Sequence, residues 1–158
     1  MAYYLMNIVL DINEFDINNV FFQKPITNTV IDNSDFIRIL YSTDLMILNG
    51  IYIKIKLNIK NVEMYYNKYK CIFNTNENDT IINNLHIIEN YILQRYKCNK
   101  NKKNKIYEQL TNCYVKIFTE NNIFTSDNMP NDFTLKISGI WETDTEYGIT
   151  YKFSVNHQ

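Results

Sequence analysis

Apolar and polar side chains alternate along most of this chain, and that period of two predicts strands. Residues 3–10 are apolar and read as a first strand, and "NNVFFQKP" gives a short one stopped by Pro25. "DFIRILY" (35–41) alternates around Arg38, and "MILNG" (46–50) ends in Asn-Gly, a hairpin-turn signal. The strictest alternation follows in "IYIKIKLNIK", residues 51–60. Ile51, Ile53, Ile55, Leu57 and Ile59 point one way; Tyr52, Lys54, Lys56, Asn58 and Lys60 point the other. As one strand it would span about 33 Å. "VEMYYNKYKCIF" (62–73) reads as its partner or as its continuation after a bend. Tyr65 and Tyr66 are neighbours there, so one of the two is expected in the core.

The period then changes. Ile81, Leu85, Ile88 and Ile92 fall on one helical face and predict an amphipathic helix over about 79–97. Asn78, Asp79 or Thr80 can cap its start. Asn83, Asn84, Glu89, Asn90 and Arg95 lie toward its other side. "KCNKNKKNK" (97–105) has no apolar period and reads as an exposed loop. "YEQLTNCYVKIFTE" (107–120) reads as extended, and "NNIFTSDNMPND" (121–132) as a loop. A hairpin closes the pattern: Phe133, Leu135 and Ile137 alternate with polar residues, "ETDTE" turns, and Tyr147, Ile149, Tyr151, Phe153 and Val155 alternate again. This order predicts one mainly β, β-rich α+β domain over residues 1–158, a small antiparallel Greek-key barrel of the OB type with one helix between early and late strands. A sandwich with one helix is the competing architecture.

Composition adds an uneven charge layout. The net charge of −1 suggests no global attraction to nucleic acid or membrane. Yet residues 1–50 carry two basic and six acidic side chains, residues 51–105 eleven and four, and residues 106–158 three and seven. The middle third is a basic island of net +7 between flanks of net −4 each. Asn (25) and Ile (24) make up nearly a third of the chain, as expected of AT-rich codon usage, which also favours Lys and Tyr. Cys71, Cys98 and Cys113 form no CxxC pair and suit a reducing compartment. No leader is expected at the start and no membrane span anywhere. The sequon at Asn78 is read as chance.

Catalytic patterns are missing. His86 and His157 lack metal-ligand spacing, and three glycines are too few for a phosphate-cradling loop. Glu142, Asp144 and Glu146 sit in the hairpin turn, where a solvated loop is expected rather than a metal site. No enzyme activity, cofactor or metal is expected.

The basic island is the functional lead. Tyr52, Lys54, Lys56 and Lys60 are followed by Lys68, Tyr69 and Lys70, and then by the loop with Lys97, Lys100, Lys102, Lys103 and Lys105. Lysines alternating with rings suit a single nucleic-acid strand, with phosphates on the lysines and bases stacked on Tyr52 or Tyr69. No base-reading pattern is visible, so binding should be weakly sequence-dependent and salt-sensitive. Trp141 is expected either to stack on a base or to plug the rim of a barrel.

The stretch "FFQKPITNTVIDNSDFIRILYSTDLMILNGIYIKIKL" and the ending "LKISGIWETDTEYGITYKF" resemble small proteins of nucleocytoplasmic large DNA viruses, which are similar to phage-type single-stranded DNA-binding proteins with an OB fold. Lys24-Pro25 and the segment Lys136 to Trp141 carry most of the likeness, which spans about residues 18–155. It implies a non-catalytic single-stranded DNA-binding role in replication, in host cytoplasm, virus factory or virion, with a homo-oligomer or viral replication or virion proteins as partners. The chain departs from the phage pattern in ending "YKFSVNHQ" rather than in an acidic tail. The alternative is a viral structural or interaction module whose lysines are solvated surface.

Overall fold

The computed structural model describes residues 8–118 and 128–156. Strands come first: β1 (Leu10–Asp11), β2 (Val20–Phe22), β3 (Ile26–Thr27), β4 (Asp35–Ser42), β5 (Ile47–Asn49), β6 (Ile51–Lys56), β7 (Ile59–Tyr65) and β8 (Lys68–Phe73). Helix α1 (Asp79–Tyr96), β9 (Asn101–Lys103) and helix α2 (Lys105–Thr111) follow, then β10 (Tyr114–Phe118), β11 (Asp132–Glu142) and β12 (Glu146–Val155). The part of the first expected strand over residues 3–7 lies outside the described residues. Within them it is reduced to β1.

The hydrogen-bonded path runs β1-β6-β11-β12-β10-β8-β7. The far end of β11 pairs with β4, which carries β2, β3 and β5, and β9 pairs with β12. The β1–β6, β10–β12 and β12–β9 pairs are parallel and the others antiparallel. The mainly β, α+β expectation holds at this level. The two ends of the path, β1 and β7, do not pair with each other among the described residues, so the sheet is open and mixed. The wholly antiparallel closed barrel expected from the strand order is not what these strands form.

Both helices lie on one face of the sheet. Ile82, Leu85, Ile88, Ile92 and Leu93 of α1, with Ile106 and Leu110 of α2, share a core with the inward side chains of the strands, Ile53, Leu135, Ile149 and Phe153 among them. Burying each such side chain contributes about 1.5–3 kcal/mol. The helix falls where its period placed it, and Lys97, left-handed at φ +52°, ends it. Its start differs from expectation. Asn78 precedes it without capping it, and spends its Oδ1 on the Asn58 N–H at 2.8 Å.

That bond explains why "IYIKIKLNIK" is two strands rather than one. Leu57 N–H donates to Asn131 O at 3.0 Å and Asn58 N–H to Asn78, so the chain leaves one pairing and enters another. β6 pairs with β1 and β11, β7 with β8. Leu57 and Ile59 stay buried through the bend, so the alternation runs on unbroken. Asn49-Gly50 is likewise a corner rather than a hairpin turn: β5 pairs back on β4 while β6 leaves for β11. Gly50 sits at φ +94°, with the Ile137 carbonyl 2.9 Å from where a Cβ would stand, so only glycine fits.

Two further expectations fail for identifiable reasons. Residues 105–111, read as the end of a loop and the start of an extended segment, form α2. Its first turn is capped from α1: the Glu89 carboxylate accepts from Ile106 N–H (2.9 Å) and Tyr107 N–H (3.0 Å). Glu89 is therefore fully buried rather than on the solvent side of α1. Tyr65 and Tyr66 are both exposed, at 69% and 85%, because they sit at the tip of the β7–β8 hairpin, where alternation stops.

Candidate nucleic-acid interface

The helices cover one face of the sheet, and the other carries the side chains that alternate away from the core. On β6 those are Tyr52, Lys54 and Lys56. Tyr52 stands opposite Lys136 on β11, and Lys136 opposite Lys152 on β12. β12 and β10 are registered by Phe153 and Ile117, so the residues before them, Lys152 and Lys116, share the next position. Lys116 stands opposite Lys70 on β8, and Lys70 opposite Glu63 on β7. Lys136, Lys152, Lys116 and Lys70 thus form a row across four adjacent strands, about 14 Å long at about 4.8 Å per strand. Among the described residues none of the four has an ion-pair partner within 4.0 Å.

Rings line the row. Lys136 Nζ lies 5.5 Å from the centre of the Tyr52 ring, and Lys70 and Lys116 lie 4.8 and 5.5 Å from that of Tyr114. One position along, Tyr65 stands opposite Lys68 and Lys68 opposite Phe118, with Lys68 Nζ 5.2 Å from the Phe118 ring. Lys54, exposed, faces Thr134 on one side and Asp11 on the other. Two like-charge pairs, Lys136 opposite Lys152 and Lys70 opposite Lys116, stand directly across strands, an arrangement that costs stability.

The residues expected to bind from sequence therefore divide. Tyr52, Lys54, Lys68 and Lys70 are on this face. Lys56 is at its rim, 3.9 Å from Asp132. Lys60 is not part of it; it turns to Glu77 at 2.8 Å, beside the start of α1. Tyr69 cannot stack on a base, because it points inward on β8 and is 5% exposed. Lys100, Lys102 and Lys103 do not extend the path from an exposed loop. They flank or form β9 at the other end of β12, where Lys100 pairs with Glu142 (2.7 Å), Lys103 with Glu146 (3.0 Å), and Lys102 donates to Asn90 (2.7 Å). Lys105 pairs with Glu108 at 2.8 Å.

Sequence reasoning missed Lys116, Lys136, Lys152, Tyr114 and Phe118. The three lysines lie far apart in the acidic last third of the chain. Their alternation with buried residues marks them as polar-side. Their alignment rests on a bulge between Ile137 and Gly139, which sets the β11–β12 register.

Away from this face, a cluster around Glu142 is bonded internally. Glu142 accepts from the Tyr96 hydroxyl and pairs with Lys100, which also donates to Thr143 O at 2.5 Å. Lys100 and Tyr96 hold the Glu142 carboxyl below its usual range, while burial pushes the Tyr96 hydroxyl up. A cavity of about 270 Å³ beside them is lined by Thr27, Ser34, Asp35, Lys100, Glu142 and Asp144 among others, and the Ser34 hydroxyl there donates to the Ile31 carbonyl at 2.7 Å. His86 stacks on Tyr107 at 3.9 Å; His157 lies outside the described residues. Burial pushes the Cys71 thiol up to about 12, which keeps it unreactive. Trp141 lies against Gly148, where a Cβ would meet the indole at 2.7 Å, so it fills the space over that glycine. Among the described residues no group of three or more His, Cys, Asp or Glu is placed to hold a metal ion, and no helix is long and apolar enough to cross a membrane. No protein-family model, curated protein or solved structure matches this chain.

Proposed function

We propose that this protein binds single-stranded nucleic acid, without catalysis and with weak sequence dependence, on the helix-free face of its sheet. The observation that carries the reading is the row of Lys136, Lys152, Lys116 and Lys70, aligned across four strands with Glu63 opposite Lys70 and, among the described residues, no ion pair within 4.0 Å to any of the four. A polyanion laid across the strands relieves two cross-strand repulsions and meets a lysine about every 4.8 Å. Tyr52, Tyr114 and Phe118 offer rings to unstacked bases, and among the described residues neither helix stands on this face to enter a major groove. The reading rests on this surface rather than on an OB-fold analogy, since the described sheet is open. A viral setting, in which replication supplies single strands, is part of the proposal; it comes only from the expectation raised by the Lys24-Pro25 and Lys136–Trp141 segments, and no matching protein supports it.

The test is binding of a fluorescent 30-nucleotide oligo(dT) at low and moderate salt. Binding should weaken on a log–log salt plot with a slope of about −2.8 if four lysines meet phosphates. Absence of binding at low salt would sink the proposal. A protein-interaction role has one observation in its favour: Phe21, Ile26, Leu45 and Ile47 are exposed on and around the β2–β4–β5 arm. A stable oligomer that ignores oligo(dT) would favour that second reading.

A further inference from the structure

The β7–β8 hairpin carries an aromatic residue where the backbone disfavours one. Tyr65 and Lys68 are paired, so Tyr66 and Asn67 form a two-residue turn. Tyr66 sits at φ +57°. At such a position Gly, Asn or Asp is the usual occupant, and a bulky side chain is strained. AT-rich codon usage supplies Asn as freely as Tyr, so composition does not account for the ring. Burial does not either, because Tyr66 is 85% exposed and touches Tyr65 edge-on with ring centres 4.9 Å apart. A strained residue that packs into no core points to work done at the surface.

Its position suggests which work. Tyr65 is on the helix-free face, opposite Lys68, which lies over Phe118. Lys70, the end of the lysine row, is two residues further along the same strand face. The row ends at Lys70, with Glu63 opposite it on β7; a strand that turns along β8 there passes Lys68 and reaches the tip, where Tyr65, Tyr66 and Phe118 are all at least half exposed. Resting on the single-strand reading above, we infer that the tip is a stacking finger: Tyr66, propped by Tyr65, takes the face of an unpaired base as the strand leaves the lysine row. A ring used this way selects nucleic acid with unstacked bases over duplex, whose bases already stack on each other.

The test compares wild type with Tyr66→Gly and Tyr66→Trp, using oligo(dT) and a blunt duplex of the same length. Glycine should weaken oligo(dT) binding about fivefold to a hundredfold, the range of one lost base–ring stack. Its Tm should not fall, since the strained φ is relieved; a rise of about 2–4 °C is expected. Tryptophan should restore binding, and duplex binding should be the same in all three proteins. The inference is overturned if Tyr66→Gly binds oligo(dT) within twofold of wild type, if it loses binding together with thermal stability, or if duplex binding falls in parallel. Failure of wild type itself to bind would instead overturn the single-strand reading on which the finger depends.

Discussion

Lys70, Lys116, Lys136 and Lys152 come from four strands scattered between residues 70 and 152, whereas Lys100, Lys102, Lys103 and Lys105 come from one run of sequence. The scattered set ends up aligned and, among the described residues, without an ion pair within 4.0 Å; the clustered set ends up paired with Glu142, Asn90, Glu146 and Glu108. The difference lies in what each strand faces. β9 adds to the end of β12 beside the acidic turn at residues 142–146, which Lys100 and Lys103 fasten, while Lys102 reaches Asn90 of α1. The middle of the sheet faces solvent and, Glu63 apart, brings lysine against lysine. Charge density along a sequence therefore says little about which charges remain available.

The widest gap between the two regions should appear in binding. Lys116→Glu with Lys152→Glu should weaken oligo(dT) binding by about a hundredfold or more, whereas Lys102→Ala with Lys103→Ala should stay within about threefold, both by fluorescence anisotropy at low salt. Equal losses would break the comparison. Stability should show the reverse. Glu142→Gln removes the charge that Lys100 and Tyr96 hold, and should lower Tm by about 2–8 °C while leaving binding unchanged.

Acid sharpens this second point. The Glu142 pKa is lowered in the fold, so its contribution is complete above the ordinary carboxylate range and is lost as pH falls through the lowered value. Glu89 works in the opposite sense. Burial raises its pKa, so its ionised form opposes folding above that raised value, and the cost fades as pH falls through it. Glu142→Gln should therefore flatten the acid limb of the Tm–pH curve, and a limb unchanged by the substitution would contradict the assignment. The salt plot is finer still: neutralising one row lysine should reduce the slope by about 0.7, and Lys103→Ala should not change it. The smallest effect is expected from Lys152→Thr alone. Removing one of two facing like charges should raise stability by a few tenths of a kcal/mol, measured by urea unfolding.

Much of the fold was legible because burial imposes simple periods. The α1 face, the β11–β12 hairpin and the inward side of residues 51–59 follow from apolar spacing alone. The bend at Leu57–Asn58 was not legible, because alternation continues through it and its cause, Asn78, is 20 residues away. Nor was α2, whose cap is a glutamate on another helix. The candidate site was half legible: Tyr52, Lys54, Lys68 and Lys70 were named from one region. The rest of the row was hidden because sheet register, rather than sequence, makes neighbours of β12, β10 and β11. Tyr69 was misplaced by one residue of phase, since Lys68 and Lys70 on either side of it take the outward face.

β11 and β12 lie in the middle of the sheet, although they are the last strands in the sequence. On one side they hold β6 and β4, on the other β10. While a ribosome is still making residues 132–155, the earlier strands can pair only as three separate fragments, β1–β6, β2–β3–β4–β5 and β7–β8–β10, with open edges between them. The growing chain thus carries sticky strand edges until residues 132–155 emerge, and that hairpin then acts as a zip drawn through the sheet.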